Sequence, residues 1–254
     1  MTDGPSGRRP GKRGGGRDGD GADIRFYGRR KGHTLRDGPR QRLAERLPQL
    51  TIDISQPPPA DLRTLFPRPV VDVYLEIGFG TGEHIVWQAG QHPDIGYIGA
   101  EPFLNGLSRF VAQAEAAGVD NISIHPEDGR PLLDWLPPAS IGRAYVLYPD
   151  PWPKRRHLSR RFINDENLAR LARVLRPQAE LLVATDIGDY VRSSLSAVFR
   201  QGSFHWLADT AADWRQKSPW WPETRYESKA RNEGRRSAYL RLRRLAPAAD
   251  GGPG

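Results

Sequence analysis

The chain contains no cysteine. That single absence excludes disulfides, thiolate nucleophiles and cysteine-based zinc sites together. Apolar residues are also scarce, at 37% of 254 residues. No run approaches the ~20 consecutive apolar residues that span a bilayer. After Met1, residues 1–22 hold no aliphatic side chain larger than alanine. Such a Gly, Arg, Asp and Pro segment cannot bury enough surface to offset its ordering entropy, so disorder is expected there. It also lacks the apolar stretch of a signal peptide. A soluble, cytoplasmic protein with no membrane and no metal is the simplest expectation, with a monomer as the favoured state.

What is present begins with charge. Residues 1–46 carry 13 Lys/Arg against 6 Asp/Glu, whereas the remainder carries 25 against 24. Within that nearly neutral remainder, basic residues cluster at 154–161 and at 225–244. Clustering inside a neutral domain is the footprint of a polyanion partner. For the N-terminal tail, a plainly solvated charged surface is an equally good reading.

The chain divides by composition into a basic Gly/Arg-rich tail (1–23), a basic extension (24–60), a main domain (61–246) and a short C-terminal tail (247–254). The extension holds Arg29-Arg30-Lys31 and a short helix over 38–47. In the main domain, apolar runs predict strands at 71–77, 96–100, 121–125, 144–148 and 180–185. Helices are predicted at 83–91, 104–117 with Gly118 as its stop, 161–175 closed by Pro177, and 190–200. The last strands fall at 204–208 and 238–245. In the second, Leu240 and Leu242 alternate with Tyr239, Arg241 and Arg243, as in an antiparallel strand with one wet face. Alternating strands and helices make this an α/β protein. The expectation is a Rossmann-like, doubly wound, mostly parallel sheet with an antiparallel closing strand.

In such sheets ligands bind at the carboxyl ends of the strands. Those ends carry Glu76, Glu101, Asp128, Asp150 and Asp186. One strand-end carboxylate is ordinary turn chemistry; five at one edge are hard to explain as caps. After the first strand comes LEIGFGTGEH (75–84), with Gly78, Gly80 and Gly82. Glycines there let backbone pass close to a ligand. The dinucleotide spacing G-x-G-x-x-G would need glycine at 83, which is Glu. A glutamate at the helix start also opposes a pyrophosphate. A phosphate-free ligand with a cationic centre fits better. Glu101 can accept from two ribose hydroxyls, Asp128 from an exocyclic amine, and Glu76 or nearby backbone can meet an ammonium. Adenosine joined to an amino acid describes S-adenosylmethionine.

Residues 148–161 read YPDPWPKRRHLSRR. Methyl transfer from a sulfonium needs chiefly an acceptor lone pair held in line. Guanine N7 has such a lone pair and no proton to lose, which agrees with the absence of cysteine and of any obvious His–acid pair. His84, His92, His125, His157 and His205 are scattered and read as surface or structural residues. Asp150 can accept from the N1 and N2 edge of a guanine and offset positive charge developing on the ring. Trp152 can stack on a base, but with proline on both sides it is better read as packing the turn. Thr224 and Glu227 can together hold one base edge; they also fit a helix capping box.

LEIGFGTGEH, GAEPF, PED, YPDPWPKRRHLSRR, ATDIGDY and ETRYESKARNEG, in this order, resemble the bacterial tRNA (guanine-N7)-methyltransferases. The likeness covers about 71–245 and extends faintly to YGRRKGHTLRDGPRQRL at 27–43. It implies a class I methyltransferase fold, S-adenosylmethionine as cofactor and tRNA as partner. The implied product is N7-methylguanine in the variable region, usually at position 46. By matching motif, Glu76, Gly78, Gly80, Glu101, Asp128 and Asp150 become the cofactor side, with Asp150 also catalytic. Lys154, Asp186, Thr224, Arg225, Tyr226 and Glu227 become acceptor contacts. Arg155, Arg156, Arg160 and Arg161 become RNA contacts. Three positions depart from the family pattern. Gly129 stands where alanine is common, Leu158-Ser159 interrupt the basic loop, and Arg225 replaces a common lysine. Two other functions fit part of the pattern. PDPW looks like the Asp-Pro-Pro-Tyr/Trp turn of enzymes that methylate adenine N6 or cytosine N4, but it has one proline where they have two and runs directly into a basic loop. A non-catalytic RNA-binding protein on the same fold is opposed by the intact Glu101, Asp128 and Asp150.

Overall fold

A computed structural model describes residues 28, 30–218 and 221–246. The two expected disordered tails, 1–23 and 247–254, lie outside the described residues. The first element is α1 (Asp37–Leu50). Then come β1 (Asp72–Ile77), α2 (Glu83–Gln91), β2 (Ile95–Ala100), α3 (Leu104–Ala117), β3 (Ile122–His125) and α4 (Gly129–Trp135). They are followed by β4 (Ile141–Leu147), α5 (Asp165–Val174), β5 (Leu175–Thr185) and α6 (Gly188–Gln201). The chain closes with β6 (Phe204–Trp206), α7 (Ala212–Arg215), α8 (Arg225–Asn232) and β7 (Ala238–Arg244).

The strands form one sheet in the order β3-β2-β1-β4-β5-β7-β6. The first five pair in parallel, and β7 runs antiparallel between β5 and β6. This is the doubly wound, mostly parallel class I methyltransferase arrangement with an antiparallel closing strand. Period-2 alternation sends Val73, Leu75 and Ile77 to one face, where they join Leu132, Leu168, Leu171 and Val198 from α4, α5 and α6. Phe79, Ile95 and Tyr97 join Ile85, Phe110 and Leu43 from α2, α3 and α1. Helices on both faces explain why the parallel strands read as continuous apolar runs. Farther along the second face lies an aromatic cluster of Tyr145, Trp221 and Tyr239.

The structure corrects one helix. Residues 161–175 were expected to be helical to Pro177, but α5 starts at Asp165, capped by the Asn164 side chain accepting from Asn167 N at 2.9 Å. Leu175 already belongs to β5. Pro177 is tolerated there because the register shifts between Ile141 and Arg143 opposite it, and Gln178 beside it has φ +69°. The antiparallel ladder to β7 begins only at Glu180. The sequence carries no prediction of α4 or α7, whereas α8 starts at the cap that Thr224 also fits. No helix among the described residues is long and apolar enough to cross a membrane.

Candidate active site

The carboxyl ends of the central strands open on one cavity of about 560 Å³. Ligand pockets run from ~300 to ~1,000 Å³. Gly78, Gly80, Glu101, Asp128, Asp150 and Tyr226 are among its lining residues. Gly78, Gly80 and Gly82 have φ of +75°, +59° and +90°, a backbone region that side chains with a Cβ rarely adopt. The loop is also crowded. A Cβ on Gly82 would lie 2.6 Å from the Phe110 ring, and one on Gly106 of α3 would lie 2.5 Å from Gly80 O.

Glu101 closes this loop. One carboxylate oxygen accepts from Gly80 N at 2.7 Å and the other from Phe103 N at 2.8 Å. Burial pushes its pKa up to about 7, against the two N–H donors that lower it. Asp128 caps α4, accepting from Arg130 N at 2.9 Å, and pairs with the Arg130 guanidinium beside it. Glu76 does not line the main cavity. It lies in an adjoining small recess with Thr224 and Tyr226, where the buried His84 imidazole donates from Nδ1 to its Oε2 at 2.7 Å. His84 Nε2 in turn meets the Gln88 amide at 3.2 Å. A His–acid pair does exist, contrary to the sequence reading; the residues are eight apart and only the strand-to-helix reversal joins them. Its imidazole sits outside the main cavity's lining and is packed among Tyr145 and Trp221.

Asp150 follows β4 in a turn whose backbone is held under tension. Tyr148 and Trp152 on either side have φ of +49° and +41°, a conformation that persists only where its surroundings hold it. Burial raises the Asp150 pKa. The Tyr148 ring stacks on Tyr226, with centroids 6.1 Å apart and planes at 17°, and Tyr148 Oη donates to Ser237 Oγ at 2.9 Å. Burial pushes the Tyr148 phenol up to about 12, so it stays neutral at physiological pH. Trp152 is half-buried, edge-on to His157, with the Arg160 guanidinium 5.1 Å from its ring centre. The Arg160 guanidinium engages that ring from its own loop, and Trp152 also lines the cavity.

The remaining sequence candidates separate into groups. Lys154, Arg155 and Arg156 are exposed on a short 3-10 turn, and Arg160 reaches the cavity lining. Arg161 does not belong with them. It is 2% exposed and bonded inward, because its side chain turns under the loop rather than out of it. Asp186 accepts from Arg235 Nε at 2.6 Å. Thr224 is the cap of α8, accepting from Glu227 N at 3.3 Å. Glu227 does not complete the capping box; it accepts from Tyr239 Oη at 2.8 Å and Lys217 Nζ at 3.1 Å. Arg225 is exposed.

Sequence reasoning missed how the N-terminal segment takes part. Gly28 lines the cavity. Gly32 N donates to Asn105 Oδ1 at 2.8 Å, and Asn105 Nδ2 donates to His33 O at 2.7 Å. These bonds bring the Arg30-Lys31 stretch to the start of α3 beside the site. The signal was present as a basic dipeptide, but nothing local shows where it docks.

Residues 71–240 match a family profile described as a putative methyltransferase. Over 219 residues the chain is 48% identical to the tRNA (guanine-N(7)-)-methyltransferase of Rhizobium meliloti (strain 1021), covering 86% of this chain and 94% of that protein. Proteins of the same name from Rhodopseudomonas palustris (strain BisA53) and Brucella abortus (strain 2308) are 48% and 47% identical. Those two alignments cover 87% and 85% of this chain and 88% and 92% of the relatives. The chain belongs to the tRNA (guanine-N(7)-)-methyltransferase family.

The cofactor of this methyltransferase family is S-adenosylmethionine, and the cavity residues fit it. Glu83 occupies the first turn of α2, where its carboxylate accepts from Thr81 Oγ1 at 2.6 Å. A pyrophosphate at that helix start would meet this charge, whereas a phosphate-free nucleoside does not. Each Glu101 oxygen keeps a lone pair beyond the one used by its backbone donor, whereas both Asp128 oxygens already accept from Arg130. Gly129 packs closely under the end of β1. A Cβ there would lie 2.9 Å from Ile77 Cδ1, so an alanine would require that side-chain end to shift.

Proposed function

We propose that this protein forms N7-methylguanine in tRNA, at guanine 46 of the variable region, and that Asp150 positions the acceptor guanine. The observation that carries this reading is the dual position of one turn. Asp150 lines the cofactor cavity, and the exposed basic loop begins four residues later at Lys154. A base presented from an RNA held by that loop reaches the cavity beside Asp150.

When bound, S-adenosylmethionine supplies an electrophilic methyl group on a sulfonium. The protein's part is binding and orientation. Glu101 accepts from the ribose hydroxyls, Asp128 from the adenine amine, and Glu76 Oε1 from the ammonium, while Gly78 and Gly80 allow the backbone to approach. Asp150 accepts from guanine N1–H and N2–H and offsets the positive charge that grows on the ring. N7 carries no proton, so no general base is required of the site. Lys154, Asp186, Thr224, Arg225, Tyr226 and Glu227 form the acceptor side, and the exposed Arg155 and Arg156 with Arg160 meet phosphates. The enzyme is read as a cytoplasmic monomer.

The test is direct. Purified protein, labelled S-adenosylmethionine and tRNA transcripts should give N7-methylguanine on nucleoside analysis, and a transcript lacking guanine at position 46 should not be labelled. Asp150→Ala should lose the activity; labelling at the wild-type rate would remove Asp150 from the mechanism. Methyl groups on adenine N6 or cytosine N4 would instead support the exocyclic-amine reading.

A further inference from the structure

Arg161 closes the basic run 154–161 and reads in sequence as one more phosphate contact. Its surroundings contradict that. The side chain is 2% exposed and makes four hydrogen bonds, all to protein. Nε donates to Pro151 O at 2.9 Å, and Nη1 donates to Asp189 O at 3.1 Å and Ser193 Oγ at 2.6 Å. Nη2 donates to Asp189 Oδ2 at 2.6 Å. The guanidinium also lies 5.2 Å over the buried Tyr190 ring, whose hydroxyl accepts from Ile163 N at 3.2 Å.

The turn it grips cannot hold itself. Pro149, Pro151 and Pro153 have no N–H, so three of five residues around Asp150 lack a backbone donor. Tyr148 and Trp152 sit at positive φ on the two flanks. A proline-rich turn in that conformation requires a donor from elsewhere, and Arg161 brings one to the carbonyl immediately after Asp150. The other end of the guanidinium is fixed to the first turn of α6, three residues beyond Asp186. One side chain therefore ties the ends of β4 and β5 together across the acceptor side. Only a planar fork with several fixed donors spans both partners; a lysine ammonium cannot.

We propose that Arg161 is a positioning residue that clamps the Asp150 turn to α6, and that it contacts no RNA. This rests on the reading of Asp150 as the acceptor-positioning group. The clamp predicts a separation of rate from binding. In Arg161→Lys, the single-turnover methylation rate at saturating tRNA and S-adenosylmethionine should fall at least tenfold. Affinity for S-adenosylhomocysteine and for tRNA should stay within about twofold. The slope of log affinity for tRNA against log salt should be unchanged, whereas loss of a phosphate contact reduces it by roughly 0.7 to 0.9. Asp189→Ala and Ser193→Ala each remove one side-chain anchor at the far end without touching the turn. They should slow the same step about threefold each, and they carry the test if Arg161→Lys does not fold. A wild-type rate in Arg161→Lys, a reduced salt slope with an unchanged rate, or wild-type rates in both anchor variants would each overturn the clamp. Asp150→Asn separates the two readings. If it reacts at the wild-type rate, the role of Asp150 fails; if it is slow while Arg161→Lys is not, only the clamp fails.

Discussion

Glu101 offers a test in which ligand affinity and protein stability move in opposite directions with pH. Its carboxyl is raised from 4.5 to about 7 because burial disfavours the charged form. A carboxyl whose folded-state pKa exceeds its unfolded value destabilises the fold once ionised. That cost is absent below about pH 4.5 and complete above about pH 7, where it amounts to roughly 3 kcal/mol. Lowering the pH from 8 to 6 therefore returns about 1.4 kcal/mol to the free protein from this group alone. The same protonation removes an acceptor from the ribose hydroxyls. Affinity for S-adenosylhomocysteine should drop about tenfold over those two pH units, close to the 1.4 kcal/mol that one pKa unit represents. Calorimetric titration and thermal unfolding at pH 6, 7 and 8, at fixed ionic strength, measure both. Asp150 and His125 also have perturbed pKa values, so the comparison with Glu101→Gln isolates this carboxyl. The amide variant should bind more weakly at pH 8 and lose most of the pH dependence in both assays. An equal slope in wild type and variant, or flat wild-type affinity between pH 6 and 8, would refute the assignment.

Three further outcomes follow from the geometry. Replacing the exposed Lys154, Arg155 and Arg156 together by alanine should weaken tRNA binding and lower its salt slope by roughly two to three units; filter binding from 50 to 300 mM salt reads it, and an unchanged slope would detach the loop from the RNA backbone. His84→Phe strips the buried Glu76 carboxylate of its donor and should destabilise the protein by roughly 3 kcal/mol in urea unfolding, with a change under 0.5 kcal/mol counting against the pair. Gly82→Ala combines a φ of +90° with a Cβ 2.6 Å from Phe110, and should lower the thermal midpoint by about 4–8 °C; an unchanged midpoint would mean that the loop relaxes freely.

Much of the fold was legible because its signals are local. Apolar runs ended by glycine or a carboxylate mark buried parallel strands, and the expected helix at 83–91 matches α2 to the residue. Period 3.6 and Gly118 likewise bound α3, with the glycine at φ +64°. Where the reading went astray, a side chain had two possible uses. Pro177 is a helix stop in most contexts, but here it falls in a strand opposite a register shift. Thr224 and Glu227 fit both a cap and a base clamp, and the structure shows the cap for the threonine while Glu227 turns to Tyr239 and Lys217.

The site divides along the same line. By itself the sequence determined the order of strand-end carboxylates, the broken dinucleotide spacing at Glu83, the single aspartate in a proline-bound turn and the basic run after it. These follow from residue type and spacing, and they suffice to name the chemistry. Tertiary structure alone decided what each charged side chain faces. It buried Glu76 against His84 and left Arg155 and Arg156 in solvent. It also turned their neighbour Arg161 beneath the loop to hold Pro151 and Asp189. Charge is a property of the residue, but burial and partners depend on elements tens of residues away, and they determine whether an arginine meets a phosphate or braces the turn behind it.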